Sequence, residues 1–264
     1  MTIRSRGELD GLREVGLVVR ETLDALEALL RAGITTGELD SAAGALFRRR
    51  GARSAPRLVY SFPGTVCISV NDEIVHGVPG SRRLKAGDLV KLDVTAEKDG
   101  FVADAARTVV VPPAMGGEAR MAAAPGSEDV ATDVGRLLVQ CAQEAFAEAM
   151  AVLRAGARVR DIGRAVETTV GRRGFAVVRE LSGHGVGRSI HEEPTVPNFY
   201  QHESRIRLHE GLVLAIEPII SAGSGAAFMA PDGWTVRTAD GALAAHYEHT
   251  VVVTEGAPTV VTAA

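Results

Sequence analysis

Cysteine is scarce in this sequence of 264 residues, which contains only Cys67 and Cys141. Two cysteines cannot form a disulfide framework, and a thiolate zinc site needs a cysteine cluster that is not there. A reducing compartment, the cytoplasm, is therefore the expected location.

Long apolar runs and an excess of one charge are also missing. No window approaches the roughly 18 apolar residues of a membrane span. The opening "MTIRSRGELDGLR" lacks the apolar core of a signal peptide. The formal net charge is only −4, which gives no reason to expect nucleic-acid binding. We therefore expect neither a membrane nor a nucleic acid as a partner.

The apolar residues that are present indicate one sizeable core with long helices. Hydrophobic residues make up 46% of the chain, and residues 8–32 carry them at helical spacing. Gly33 suits a helix C-terminal cap, and Thr35 with Glu38 matches a capping box that opens the next helix. Residues 129–153 predict another long helix, which ends before Gly156.

Two segments of the chain resemble each other. "LLRAGITTGELDSAAGALFRRRG" (29–51) aligns without gaps to "VLRAGARVRDIGRAVETTVGRRG" (152–174), and "GDLVKLDV" aligns to "GLVLAIEP", which puts Asp93 opposite Glu217. This repeat predicts a single domain over 1–264 made of two α/β halves, 1–111 and 128–264. The Pro-, Gly- and Ala-rich residues 112–127 are the expected connection, and a site built from both halves is expected on the pseudo-two-fold axis.

Two aspartates interrupt an apolar hairpin, "LVKLDVTAEKDGFVADAARTVVV". Asp93 lies about as far before the turn as Asp104 lies after it, so we expect the two to be opposite or nearly opposite on one face. Carboxylates that close repel each other and need a shared proton or a cation. Because Asp93 alternates with apolar neighbours, a solvent-facing pair is the alternative.

More carboxylates and histidines stand in apolar or glycine-rich surroundings: His76, His184, His191, Glu217 and Glu248. Glycines on both sides of His184 argue against a helix and allow close approach of the backbone. Four carboxylates with one or two imidazoles match a site for two divalent ions. The oxygen-rich donor set favours Mn, Fe(II) or Co, with Zn as a further option.

Five motifs together carry a family resemblance: "TVCISVNDEIVHG", "KLDVTAEKDGFVAD", "SGHGVGRSIHEEP", "AIEP" and "YEHTVVVT". With these motifs in this order, the chain resembles the type I methionine aminopeptidases. These are pita-bread metallopeptidases of peptidase family M24, subfamily A. The resemblance implies an α+β fold of two pseudo-symmetric halves, a curved antiparallel sheet backed by helices. It implies removal of the N-terminal methionine from nascent proteins and peptides, preferably before a small second residue.

The resemblance also implies residue roles. It gives five metal ligands: Asp93, Asp104, His184, Glu217 and Glu248. Asp104 and Glu248 would bridge two ions, and a water or hydroxide between the ions would attack the scissile carbonyl. His76 and His191 would stabilise the oxyanion, and Glu217 would pass a proton to the leaving amine.

The resemblance also implies a methionine pocket, and several residues of the chain differ from the usual family pattern. The matching pocket residues are Phe62, Cys67, Ile190 and Trp234. The segment Val59 to Phe62 is about one residue short, so the pocket rim is expected to differ. Ala105 replaces the usual threonine, which we expect to remove a supporting hydroxyl, and His246 stands where glutamine is common. None of these departures is expected to touch a ligand.

Three other interpretations stay open at this point. A proline-directed peptidase of the same fold usually carries a large N-terminal domain, for which the chain shows no room. A metal-free binding protein of the same fold would have lost ligands, whereas all five candidates are present. A specialised relative acting on one peptide fits the unusual rim. The resemblance further implies a monomer with transient ribosome contact, and no zinc finger or ribosome-docking arm is visible before the first helix.

Overall fold

A computed structural model of the chain describes residues 1–112 and 128–263. The predicted connection 112–127 therefore lies outside the described residues except for Pro112. The first half contains α1 Arg6–Leu29, α2 Thr36–Arg50, β1 Arg53–Ser54, α3 Ala55–Tyr60, β2 Cys67–Val70, β3 Glu73–Val75, β4 Leu89–Lys98 and β5 Phe101–Val110. The second contains α4 Glu128–Val152, α5 Val159–Arg172, β6 Ala176–Val177, β7 Ser182–Gly185, β8 Glu192–Pro197, β9 Val213–Ile216, β10 Ile219–Ser221, β11 Ala227–Met229, β12 Val236–Thr238, β13 Ala244–His246, β14 Glu248–Val252 and β15 Thr259–Val260.

The predicted helices are confirmed, with ends that shift by a few residues. Helix α1 begins earlier than expected because Ser5 caps it and accepts a hydrogen bond from the Glu8 N–H. The capping box of α2 is present, and the Thr35 N–H donates to the Glu38 carboxylate over 2.7 Å. Helix α4 lies where the second long helix was predicted. None of the described helices has the length and apolarity needed to cross a membrane.

Nine of the described strands form one sheet with the central order β1-β4-β5-β14-β9-β7-β8, in which β2 pairs with β4 and β15 pairs with β14. All of its pairings are antiparallel. Two three-stranded sheets have the orders β13-β10-β6 and β11-β12-β3, and in the second of these β3 of the first half pairs with β12 of the second half. The centre of the large sheet is the pair β5 and β14, where the two halves of the chain meet.

Helices cover one face of this sheet and leave the other face to the site. Helices α1 and α2 pack on the side of β4 that carries Val90, Leu92 and Val94, all fully buried. Because side chains alternate along a strand, Asp93 and Thr95 point to the opposite face. The second half repeats the arrangement with α4 and α5, which share a core with β9 and β14.

The junction of the halves makes the same pair of hydrogen bonds twice. Thr108 Oγ1 donates to the carbonyl of His246 over 2.7 Å and accepts from its N–H over 2.8 Å. Thr250 Oγ1 donates to the carbonyl of Asp104 over 2.8 Å and accepts from its N–H over 2.9 Å. This repetition makes Asp104 and His246 equivalent positions of the two halves.

Candidate active site and metal centre

The aspartate hairpin has a two-residue turn, which sets the pairing of its strands. Its turn consists of Asp99 and Gly100, with φ values of 51° and 80°, the left-handed backbone of a two-residue hairpin turn. This turn pairs Asp104 with Thr95 rather than with Asp93. The two aspartates are therefore diagonal neighbours on one face, not directly opposite. They face a cavity, and Asp104 is only 6% exposed, so the solvent-facing alternative is wrong.

The second half brings its own carboxylates to the same place. Glu217 directly follows β9, Glu248 begins β14, and both are buried. His184 lies on β7, next to β9, and its Nε2 is 3.3 Å from Glu217 Oε1. Donor atoms of Asp104, His184 and Glu248 lie within 4.8 Å of one another. Asp93 lines the same cavity, so the five predicted ligands share one site.

The glycines beside His184 have the packing role that the sequence indicated. A side chain on Gly183 would collide with the carbonyl oxygen of Ala215, and one on Gly185 with the carbonyl oxygen of Glu193. His184 Nδ1 lies 2.9 Å from the carbonyl oxygen of the next residue, Gly185. A carbonyl oxygen only accepts hydrogen bonds, so Nδ1 is the donor and Nε2 keeps a lone pair for a metal ion.

The electrostatics of the cluster fit a bound cation. Burial raises the pKa of Asp93, Asp104 and Glu248, and Asp104 raises the pKa of Asp93 and Glu248 further by charge repulsion. Asp104 Oδ1 and Glu248 Oε1 are buried without a hydrogen-bond partner among the described residues. Buried oxygens without a donor are costly, and a divalent cation would satisfy them. The donor set therefore suits hard or borderline divalent ions.

His246 contradicts the expectation that no departure touches a ligand. Its side chain is 2% exposed, and its Nε2 is 3.3 Å from Glu248 Oε2 and 3.5 Å from Glu217 Oε2. Burial alone lowers the pKa of His246, but the contacts with the two glutamates outweigh burial and raise it well above the ordinary value. A signal was available in the sequence, because residues two apart on a strand share a face and His246 stands two before Glu248.

Ala105 also differs from its prediction. Its side chain packs in the core on the helix side of the sheet, opposite to Asp104. A hydroxyl at this position would point away from the ligands, so the expected loss of a supporting hydroxyl is wrong. Thr95 and Thr250 supply hydroxyls to Asp104 instead, Thr95 at its carboxylate and Thr250 at its backbone.

Two further histidines stand at the solvent-accessible side of the cavity. His76 follows β3 with a φ of 58°, a left-handed conformation that is uncommon for non-glycine residues. His191 precedes β8, and its ring centre is 4.3 Å from that of His184. Desolvation by the cavity walls lowers the pKa of His76, and desolvation also lowers the pKa of His191 to about 4. Both imidazoles are therefore neutral at pH 7.

All four predicted pocket residues line this cavity, whose volume is about 370 Å³. The rings of Phe62 and Trp234 meet edge to face with centres 5.3 Å apart, a favourable aromatic geometry. Cys67 and Ile190 are buried beside them. Burial, and next the charge of Asp93, raises the pKa of the Cys67 thiol, which stays protonated. The cavity thus joins an apolar compartment to the carboxylate cluster.

Tyr60 is a site residue that sequence reasoning missed. Its hydroxyl oxygen lies 2.6 Å from His191 Nδ1 at the end of α3. After Tyr60 the chain turns at Ser61, which has a φ of 60°, and the following Phe62 is buried, whereas Val59 before Tyr60 is 57% exposed. A difference at the pocket rim was predicted from this short segment, but a contact with a histidine far away in sequence had no local signal.

Comparison with known proteins identifies the family of the chain. The model of metallopeptidase family M24 matches residues 10–255. The chain is 38% identical over 260 residues to a methionine aminopeptidase of Clostridium perfringens, and the match covers 98% of both chains. It is 38% identical over 264 residues to methionine aminopeptidase 2 of Bacillus subtilis, covering 99% of both.

A solved structure gives the same result for the fold. The crystal structure of methionine aminopeptidase from Thermotoga maritima matches with a TM-score of 0.88 at 31% identity, covering 99% of both chains. The predicted α+β pita-bread fold is confirmed. The chain belongs to metallopeptidase family M24 and is an aminopeptidase of the pita-bread fold whose full-length relatives are methionine aminopeptidases.

Proposed function

We propose that the chain removes the N-terminal methionine from proteins and peptides by metal-dependent hydrolysis. The observation that carries this proposal is one cavity in which an apolar compartment opens directly onto a buried cluster of carboxylates and imidazoles. An apolar compartment suits a thioether side chain, and the cluster suits the ions that hydrolysis needs. The full-length likeness to methionine aminopeptidases supports the same substrate.

Five residues are proposed to hold two divalent ions: Asp93, Asp104, His184, Glu217 and Glu248. The buried, unpaired oxygens of Asp104 and Glu248 support their role as the bridging ligands. Co, Mn or Fe(II) are the proposed metals, with Zn as a further option, since oxygen donors outnumber nitrogen donors. When bound, such ions lower the pKa of a water molecule and polarise a carbonyl.

The side chains around the cluster are proposed to orient the substrate. The methionine side chain enters between Phe62 and Trp234, against Cys67 and Ile190. Asp104 and Glu248 are almost fully buried and form the floor of the cavity. The free α-amine of the substrate would bind to an ion held by these residues. Because the cavity is closed at this floor, no further substrate residue fits before the one that is bound there. Cleavage is therefore limited to the first peptide bond.

Three residues are proposed to stabilise the oxyanion and to transfer a proton to the leaving amine. A Tyr60 hydroxyl that donates to His191 Nδ1 leaves Nε2–H of this neutral ring as the donor to the developing oxyanion. His76, also neutral, is a second donor at the same side of the cavity. The Glu217 carboxylate faces the cavity and can take a proton and pass it to the leaving amine.

Nascent chains and peptides with a small second residue are the proposed substrates. Tyr60 and Met229 stand at the cavity, 44% and 57% exposed, where a large second side chain would meet them. Both cysteines are free and buried, which supports a reducing cytoplasmic setting. A monomer with transient ribosome contact is the proposed working state.

The test is hydrolysis of Met-Ala-Ser by metal-stripped protein before and after addition of Co(II) or Mn(II). We expect free methionine only with metal, and slower release from Met-Leu-Ser. An Ala-Pro dipeptide serves as the control for a proline-directed peptidase of this fold.

The alternative outcomes separate the other interpretations. Cleavage of Ala-Pro with no release of methionine would overturn the substrate assignment. Two bound ions without turnover of either peptide would indicate a specialised peptide substrate. Protein that binds no ion at all would indicate a binding protein instead of an enzyme.

A further inference from the structure

His246 is a buried side chain beside the five predicted metal ligands, and no role has been given to it so far. It ends β13 and lines the same cavity as the carboxylates. Its Nε2 lies 3.3 Å from Glu248 Oε2 and 3.5 Å from Glu217 Oε2. Donor atoms of these three residues lie within 4.8 Å of one another, which makes a second group of potential metal ligands besides Asp104, His184 and Glu248.

The hydrogen bonding of His246 is incomplete. Neither ring nitrogen has a hydrogen-bond partner among the described residues, and Oε1 of Glu248 has none either. Buried polar atoms are normally paired, so these atoms indicate a missing partner. Because a metal ion displaces the proton of an imidazole, Nε2 would present its lone pair to an ion bound in the cavity.

The distances fit a coordination sphere better than an ion pair. Donors at a tetrahedral ion with bonds of about 2.0–2.1 Å lie about 3.3 Å apart. The two contacts of His246 Nε2, at 3.3 and 3.5 Å, are close to this length. A charge-assisted hydrogen bond from an imidazolium to a carboxylate is shorter, about 2.7–2.9 Å. His184 Nε2 stands 3.3 Å from the other oxygen of Glu217, so this glutamate lies between two imidazoles.

The pseudo-symmetry of the chain supports the same role. His246 occupies the position of the second half that Asp104 occupies in the first, and the backbone of each is held by two bonds to one threonine. Both side chains point into one cavity. His246 is therefore held in the same backbone geometry as Asp104, which is a proposed ligand.

We propose that His246 is a sixth protein ligand of the metal centre, which then has two imidazoles, His184 and His246. This inference rests on the metal centre of the proposed function. A second nitrogen donor shifts the preference of the centre away from Mn and towards Fe(II), Co or Zn. It also increases the affinity of the centre for the ion nearest Glu217 and Glu248.

The test compares the full chain with His246→Gln, using Co(II) alone as the probe. The matched control is His249→Gln, because His249 is similarly buried on β14 but its nitrogens contact Thr262 and Tyr247. X-ray absorption of the cobalt-loaded proteins counts the imidazole ligands per chain, and titration calorimetry measures the affinity for each ion.

We expect two imidazoles per chain in the unmodified protein and in His249→Gln, and one in His246→Gln. We also expect His246→Gln to weaken the binding of one cobalt ion by at least about tenfold, with less than a twofold change in the control. An unchanged imidazole count and affinity in His246→Gln would overturn the proposal. If that variant fails to fold, the count in the unmodified chain decides, since one imidazole would contradict a sixth ligand. Protein that binds no cobalt would overturn the proposed function as well.

Discussion

The two halves of the molecule use one scaffold differently. In the first half, β4 and β5 run uninterrupted through Asp93 and Asp104. In the second half the equivalent strands are broken, because Pro218 separates β9 from β10 and Tyr247 separates β13 from β14. Proline cannot donate to the ladder. The chain therefore leaves the large sheet at Glu217, and β10 and β13 pair in a separate sheet.

This difference divides the work of the site. The unbroken hairpin carries two carboxylates, whereas the broken strands of the second half bring Ile219 and His246 to the cavity. The outer histidines follow the same symmetry, since His76 stands as far after the start of β2 as His191 stands after the start of β7. A duplicated scaffold can thus keep its geometry while one copy changes its donor atoms.

The largest effect is expected from the unbroken hairpin. Asp104→Ala removes a proposed bridging ligand and should abolish metal-dependent turnover, since changes that only support a ligand already cost about 10–100-fold. The change at the equivalent position, His246→Gln, should keep measurable turnover at saturating metal. Peptide hydrolysis with metal analysis and circular dichroism checks both. Full turnover and two bound ions in Asp104→Ala would refute the ligand assignment.

Metal removal should destabilise the chain through the same carboxylates. A ligand present at a thousandfold its dissociation constant stabilises by about 4 kcal/mol, so chelation should lower the melting temperature clearly. Asp104→Asn should make the metal-free chain more stable than the metal-free unmodified chain, by roughly 1–2 kcal/mol, because it removes one repelling charge. Calorimetry with and without chelator measures this. A lower stability of the metal-free variant would contradict repulsion within the cluster.

The outer histidines should affect the rate without affecting the metal. His191→Ala removes one proposed oxyanion donor and should lower kcat by about a hundredfold, and His76→Ala tests whether its symmetric counterpart contributes equally. The exposed His202 offers a control, His202→Ala, that should change nothing. Steady-state kinetics and metal content are the measurements. Loss of bound metal in His191→Ala would instead make it a ligand.

Tyr60 should act only through His191. Tyr60→Phe removes the hydroxyl beside Nδ1 and should lower kcat by less than about tenfold, because the ring can still donate after losing its orienting partner. In a His191→Ala background the same change should have no further effect on kcat. A double-mutant cycle measures this coupling, and independent effects of the two changes would rule out a positioning role.

The smallest effect concerns the caps of the two repeated helices. Thr35→Ala should destabilise the fold by about 1 kcal/mol, because it removes the capping box of α2. Arg158→Ala, at the equivalent cap of α5, should cost less than about 0.5 kcal/mol, since Arg158 has no side-chain cap bond. Denaturant unfolding of the metal-loaded proteins compares them, and equal losses would contradict the difference between the caps.

Much of the scaffold followed from local patterns in the sequence. Apolar spacing and the pair Thr35 and Glu38 predicted helices whose ends shifted by at most a few residues. The repeat of "LRAG" and "RRG" predicted two halves, and carboxylates in apolar strands predicted a cation site. These features are readable because helix periodicity, capping and the cost of burying charge act over short stretches of chain.

Only the tertiary structure decided which side chains meet. The contact of Tyr60 with His191, the diagonal offset of Asp93 and Asp104, and the approach of His246 to Glu217 all depend on register and strand pairing. A change of one residue in a turn moves every side chain on the strand to another partner. The sequence by itself determined the donor atoms and the duplicated scaffold, whereas packing between distant strands determined their geometry, because no local pattern encodes distances between segments far apart in the chain.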